Sequence, residues 1–311
     1  MCEKHKEVER QVVEFTENVR HVGEESITDY LFWKWADINK CFKHLDFKHY
    51  TKPQESKTSG ADFRMEIWLV GKTQSLPLLF QAKKVSKEYQ NYIAAINYPK
   101  KTKKQINTLL GYAQTERKVP LYMFYSDSGF KQHKSFRGGV HKAPGIYIAH
   151  AKTVKKIATQ KPGFKLSRTQ LLYKSTSFHH LFCFTQDELD QNNSDIIGLI
   201  IERLSVLVDS SEEIPSCIVS SEQLPDYVNN LLSETVATKE EDYKDAEKTR
   251  IRNRESVKSY IASIGITDNN IFYDNYNASN NHILMSTNVA VYDFRISAHD
   301  KKTKKSVKAK A

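Results

Sequence analysis

Two apolar runs, FRMEIWLV over residues 63–70 and PLLFQAKKV over 77–85, are separated only by GKTQSL. Runs of this length, rich in aromatic and branched side chains and bounded by turn residues, predict two core strands joined as a hairpin. Such a hairpin must be covered by other elements, and the chain has the means. Its 311 residues are 39% hydrophobic and 27% charged, ordinary usage for a folded protein, which predicts one main domain with an appendage.

The pattern extends on both sides of the hairpin. Ile27, Leu31, Trp35 and Ile38 recur at spacings of three and four, predicting an amphipathic helix over 24–41. HLDFKHY predicts a short strand over 44–50, and the polar, basic TKPQESKTSG predicts a loop. After the hairpin, Ile106, Leu109, Leu110 and Ala113 form one face of a helix that crosses over to VPLYMFY (119–125), a buried strand expected to lie parallel to its neighbour. GIYIAHA follows as a further strand. Further helices are expected in DIIGLIIERLSVLV and LPDYVNNLL, and a late strand in ILMSTNVAVYDFRI. The expected division is an N-terminal segment over 1–22, compatible with a short helix, then a main domain over 23–235 with its core at 24–151. A C-terminal α+β extension over 236–311 carries a mixed-charge linker and a lysine-rich tail.

The formal net charge is +10, which favours a polyanionic partner, although six lysines in the last eleven residues carry more than half of it. No run approaches the roughly 20 apolar residues of a membrane span, and MCEKHKEVER lacks the apolar segment of a secretory signal. These features predict a cytoplasmic protein without a membrane partner. Cys2, Cys41, Cys183 and Cys217 lie far apart with no C-x-x-C pairing, and in that compartment all four are expected as reduced thiols.

The polar residues at the rims of the hairpin point to chemistry. Gln81 and Lys83 are two apart and share a strand face, and the turn brings them beside the start of the first strand, where Asp62 stands. Mg²⁺ takes hard oxygen ligands, so an Asp carboxylate with an amide oxygen suits it. A lysine beside a metal-activated water can orient it and stabilise developing charge. On the first helix, Glu24 projects closer to the apolar face than Glu25, although acids in a first turn also complement the helix dipole. Glu66 has the parity of Asp62, and its expected role is a surface ion pair rather than a ligand. Lys100, Lys101, Lys103 and Lys104, preceded by Tyr92 and Tyr98, suit phosphate contacts and base stacking, or simply a solvated face. His179 and His180 lack ligand spacing and read as structural.

The helix GEESITDYLFWKW, GAD at 60–62 and QAK at 81–83, followed by a helix and a strand, resemble the PD-(D/E)xK phosphodiesterase superfamily. The similarity is to the D…QxK variant of Mrr-like restriction and bacterial antiviral-defence nucleases, and it covers roughly residues 20–150. It implies an α/β fold with a restriction-endonuclease-like core, a central mixed sheet flanked by helices in the order αβββαβ. It implies a Mg²⁺-dependent nuclease acting on DNA, with Mn²⁺ as a substitute ion, in restriction or prokaryotic antiviral defence. Asp62 would bind the metal, Gln81 would replace the usual second acid, Lys83 would be the catalytic lysine, and Glu24 or Glu25 would match the helix acid. Lys84, Lys101, Lys103, Lys104 and Gln105 are the candidate nucleic-acid contacts, and the C-terminal region is the candidate surface for a protein partner or a second copy. The neutral Gln81 keeps a second outcome open: a catalytically inactive nucleic-acid-binding or assembly subunit that retains the fold.

Overall fold

A computed structural model of the chain describes residues 2–19, 22–38, 42–47, 64–86, 91–96, 105–126, 131–134, 140–142, 145–159, 165–192, 195–208, 214–233 and 287–295. The predicted hairpin is present as β2 (Arg64–Val70) and β3 (Gln74–Val85), antiparallel and in register from Arg64↔Gln81 to Val70↔Ser75. The connection is tighter than GKTQSL suggests. Gly71 N–H donates to Gln74 O at 3.0 Å, and β3 already starts at Gln74. Pro77, which cannot donate to a ladder, is tolerated inside β3 because it falls between two pairings. Gln74 and Ser75 pair with the short β9 (Val219–Ser220), whereas β4 (Val119–Ser126) begins at Leu78.

β4 runs parallel to β3, delivered by the crossover helix α4 (Gln105–Thr115). β7 (Gly145–His150) pairs antiparallel with β4, and β8 (Thr176–Ser177) closes that side. On the other side, β10 (Thr287–Asp293) lies parallel to β2 and antiparallel to β1 (Phe42–Phe47). The result is an α/β fold around an open mixed sheet in the order β1-β10-β2-β3-β4-β7-β8.

Alternation along the strands assigns the two faces. Met65, Ile67, Leu78, Phe80, Ala82, Leu121, Met123, Ile148, Ala290 and Tyr292 point to one side, where they pack with α1 (Cys2–Asn18), α2 (Glu24–Ile38), α8 (Ile196–Ser205) and a 3-10 turn at Phe178–Phe182. On the other side Leu79, Val85, Tyr122 and Phe124 meet α4, α5 (Ala151–Ala158) and Leu171 and Leu172 of α6 (Arg168–Tyr173). Trp68, Val70, Val289 and Val291 are covered there by Tyr227, Val228 and Leu231 of α9 (Asp226–Ser233). Burial on both faces explains why these strands read as near-continuous apolar runs.

One expectation is corrected here. Cys2 and Cys183, 181 positions apart, form a disulfide, so not all cysteines are thiols. Distance along the chain hid the pairing: α1 folds back across the body and brings its first turn to the end of the 178–182 turn. Cys217 is a buried free thiol. No helix among the described residues is long and apolar enough to cross a membrane.

Candidate active site

Gln81 and Lys83 stand at the C-terminal end of β3, on the face of Leu79 and Val85. Gln81 pairs with Arg64 on one side and Tyr122 on the other, and Lys83 pairs with Phe124. The central position buries Gln81 to 6% exposure, while Lys83, two residues nearer the strand end, is half-buried. The strand thus presents a fixed amide and a more accessible ammonium in one line.

Glu24, half-buried in the first turn of α2, reaches the same strand end. Its Oε1 accepts from the backbone N–H of Lys84 at 3.1 Å, and the Lys84 ammonium donates to Val22 O at 3.4 Å. Ala82 on that parity packs against α2, so the helix lies on the sheet face opposite Gln81 and Lys83, and the Glu24 carboxylate meets the strand at its backbone edge rather than on that face. Glu25 is half-buried in the same turn. The position of α2 is fixed two ways. Ile27, Leu31 and Trp35 are buried against the sheet. Thr28 Oγ1 also lies 2.6 Å from the Tyr125 hydroxyl on β4. Burial pushes the Tyr125 phenol above its ordinary range, so it stays neutral in that bond.

Gln105 opens α4 at 6% exposure, and its Oε1 has no hydrogen-bond partner among the described residues. A buried amide oxygen in that state is an acceptor awaiting a donor. Asp62, Lys100, Lys101, Lys103 and Lys104 lie outside the described residues. Among the described residues no cluster of three His, Cys, Asp or Glu side chains is placed to hold a metal ion. The oxygens at the strand end, a Gln81 amide and a Glu24 carboxylate, are nonetheless of the hard type that Mg²⁺ takes.

Glu66 departs from its expected surface ion pair. Its side chain is fully buried, with Lys118 Nζ at 2.6 Å and Trp68 Nε1 at 2.5 Å, and the Tyr227 hydroxyl donates to the same carboxylate. Burial disfavours the Lys118 ammonium, but the adjacent carboxylate more than offsets this and holds its pKa above the ordinary lysine value. Three donors on one carboxylate make a clamp: β2, the start of β4 and α9 meet at Glu66. The one sequence signal was a single acid inside an apolar run with Trp68 two positions on.

A second buried pair was also missed. Glu9 of α1 accepts from the backbone N–H of His179 at 2.8 Å and lies 2.9 Å from His179 Nδ1. This gives His179 the structural place expected of it. The only hint for Glu9 was its position between Val8 and Val12 on the buried stripe of α1.

Over residues 1–260 the chain matches the model of a family described as a family of unknown function, DUF6615, and it belongs to that family. No curated protein and no solved structure matches it. β10 lies beyond the matched region.

Proposed function

We propose that this member of a family of unknown function is a metal-dependent nuclease that hydrolyses DNA phosphodiester bonds, with Mg²⁺ as its ion and Mn²⁺ as a substitute. The reading rests on one observation: Gln81, Lys83 and Glu24 meet at the same end of β3, Glu24 brought there by α2 from the other side of the sheet, in a hairpin whose described register ends at Arg64. Arg64 pairs with Gln81. A ladder continued back by two residues would set position 62 against Lys83.

In this reading Asp62, Gln81 Oε1 and the Glu24 carboxylate hold the ion, with Glu25 as the alternative helix acid. A divalent cation bound there would acidify a water and polarise the phosphoryl oxygen. The Lys83 ammonium, on a strand fixed from both sides, orients the attacking water and faces the charge that develops on the phosphate. Lys84, Lys101, Lys103, Lys104 and Gln105 would contact the nucleic-acid backbone, the lysines by charge and Gln105 by its amide. A role in restriction or antiviral defence follows from the family resemblance alone, as does a docking role for the C-terminal region.

The test is cleavage of supercoiled plasmid with Mg²⁺, Mn²⁺ or EDTA, by the wild type and by Lys83→Ala. Metal-dependent cutting that falls about 100-fold or more in the variant is expected. Inactivity of the wild type together with salt-sensitive DNA binding would replace this reading with that of a nucleic-acid-binding protein on a nuclease-like scaffold.

A further inference from the structure

α1 is docked on the body through α2, the 178–182 turn and β7. Val8 and Val12 enter the main core, and His5 stacks on Phe182 with ring centroids 4.3 Å apart. Glu9 accepts from the backbone N–H of His179 and lies 2.9 Å from its Nδ1. The helix passes so close to β7 that a Cβ on Gly145 would lie 2.7 Å from Val13 Cγ2 and 2.8 Å from Glu9 O.

This docking carries costs. His5 is buried with its Nδ1 lacking a hydrogen-bond partner among the described residues, and burial lowers its pKa to about 3. Burial also raises the Glu9 carboxyl above its ordinary range, although His179 opposes the shift. A helix that buries an imidazole nitrogen without a hydrogen bond, and an acid, gains from a covalent tether, because the tether removes freedom from the undocked state.

The two ends of that tether are unequal. Arg203 of α8 donates to the carbonyls of His180 and Cys183, so the Cys183 side is held from behind without help from α1. Cys2 sits in the first turn of α1, the helix that the bond ties down. Both cysteines of the disulfide are half-buried, whereas Cys217 is buried. A reductant can therefore reach the bond. In reducing compartments, such bonds are mostly catalytic or redox-sensing.

We propose that Cys2–Cys183 is a redox latch whose reduction releases α1 from the body while the sheet stays folded. The step is thiol–disulfide exchange with a dithiol reductant. A thiolate of the reductant attacks one sulfur, the S–S bond breaks, and the other sulfur leaves as a thiolate that takes up a proton. The second thiol of the reductant then resolves the mixed disulfide. Cys2 and Cys183 end as two thiols, and the reductant ends as a disulfide. Release loosens the support of α2, since Phe15 of α1 stacks on Tyr30 at 4.4 Å. α2 also carries Glu24.

Hydrogen exchange of the full chain, oxidised and after dithiothreitol, tests the latch, with thiol alkylation and mass spectrometry verifying each state. Reduction is expected to speed exchange of amides in residues 2–18 by about tenfold or more, with β3 and β4 unchanged. Cys2→Ser should show the fast pattern without reductant and no further response to it. Unchanged exchange in α1 after verified reduction would overturn the proposal. So would exchange that accelerates equally in all strands, or full alkylation of Cys2 and Cys183 before any reductant is added. These readouts use no nucleic acid, so their failure is separable from failure of the nuclease reading.

Discussion

Glu66 shows what a single side chain can settle. Its carboxylate accepts from Lys118, Trp68 and Tyr227 with no exposure to water. Glu66→Gln leaves the Lys118 ammonium buried without its counter-charge, a change that costs about 3–5 kcal/mol. A urea titration should show the midpoint falling accordingly, and an unchanged midpoint would contradict the clamp. His5 sets a pH response. Its folded pKa, about 3, is depressed from 6.5, so the unfolded chain binds a proton that the folded chain refuses. Stability from this group is complete above pH 6.5 and falls as pH drops toward 3, by about 2 kcal/mol between pH 6.5 and 5. Glu9, with its carboxyl raised, has the opposite sign: its contribution declines as pH rises through its folded pKa. Comparing wild type with His5→Phe at pH 7 and pH 5 isolates the histidine, and the variant should lose less on acidification.

At the scale of elements, Gly145 is a tight junction between β7 and α1. Its φ of +78° lies where side chains are strained, and a Cβ there would press into α1. Gly145→Ala is expected to destabilise by about 2 kcal/mol or more, seen as a lower thermal midpoint. The elements themselves were largely legible. The hairpin and the parallel β4 follow from short apolar runs rich in branched and aromatic residues, and α2 and α4 from a period of 3.6 that packing did not override. The pairings between distant elements were not legible. Glu9 and Glu66 look like ordinary acids because a strand or helix buried on several sides loses the contrast that marks an inward position. Cys2 and Cys183 carry no spacing signal, since only the path of α1 brings them together. Of the candidate site, Gln81 and Lys83 could be placed from strand parity alone. The reach of Glu24 to Lys84 N required knowing how α2 crosses the sheet.

For the whole molecule, β10 is the decisive element. Val289, Ala290, Val291 and Tyr292 are fully buried between β1 and β2. Truncation at residue 260, the end of the family match, removes an interior strand. That protein is expected to lose its cooperative thermal transition, measured by circular dichroism, because β1 loses its partner and β2 gains an open edge. Placement of the last strand in the middle also bears on how the chain is made. Among the described residues Phe42 finds its ladder partner in Tyr292, so the seat between β1 and β2 stays vacant until residues 287–293 have left the ribosome. Contacts so distant in sequence form slowly. During synthesis the exposed flanks of that seat are the surfaces most in need of a chaperone.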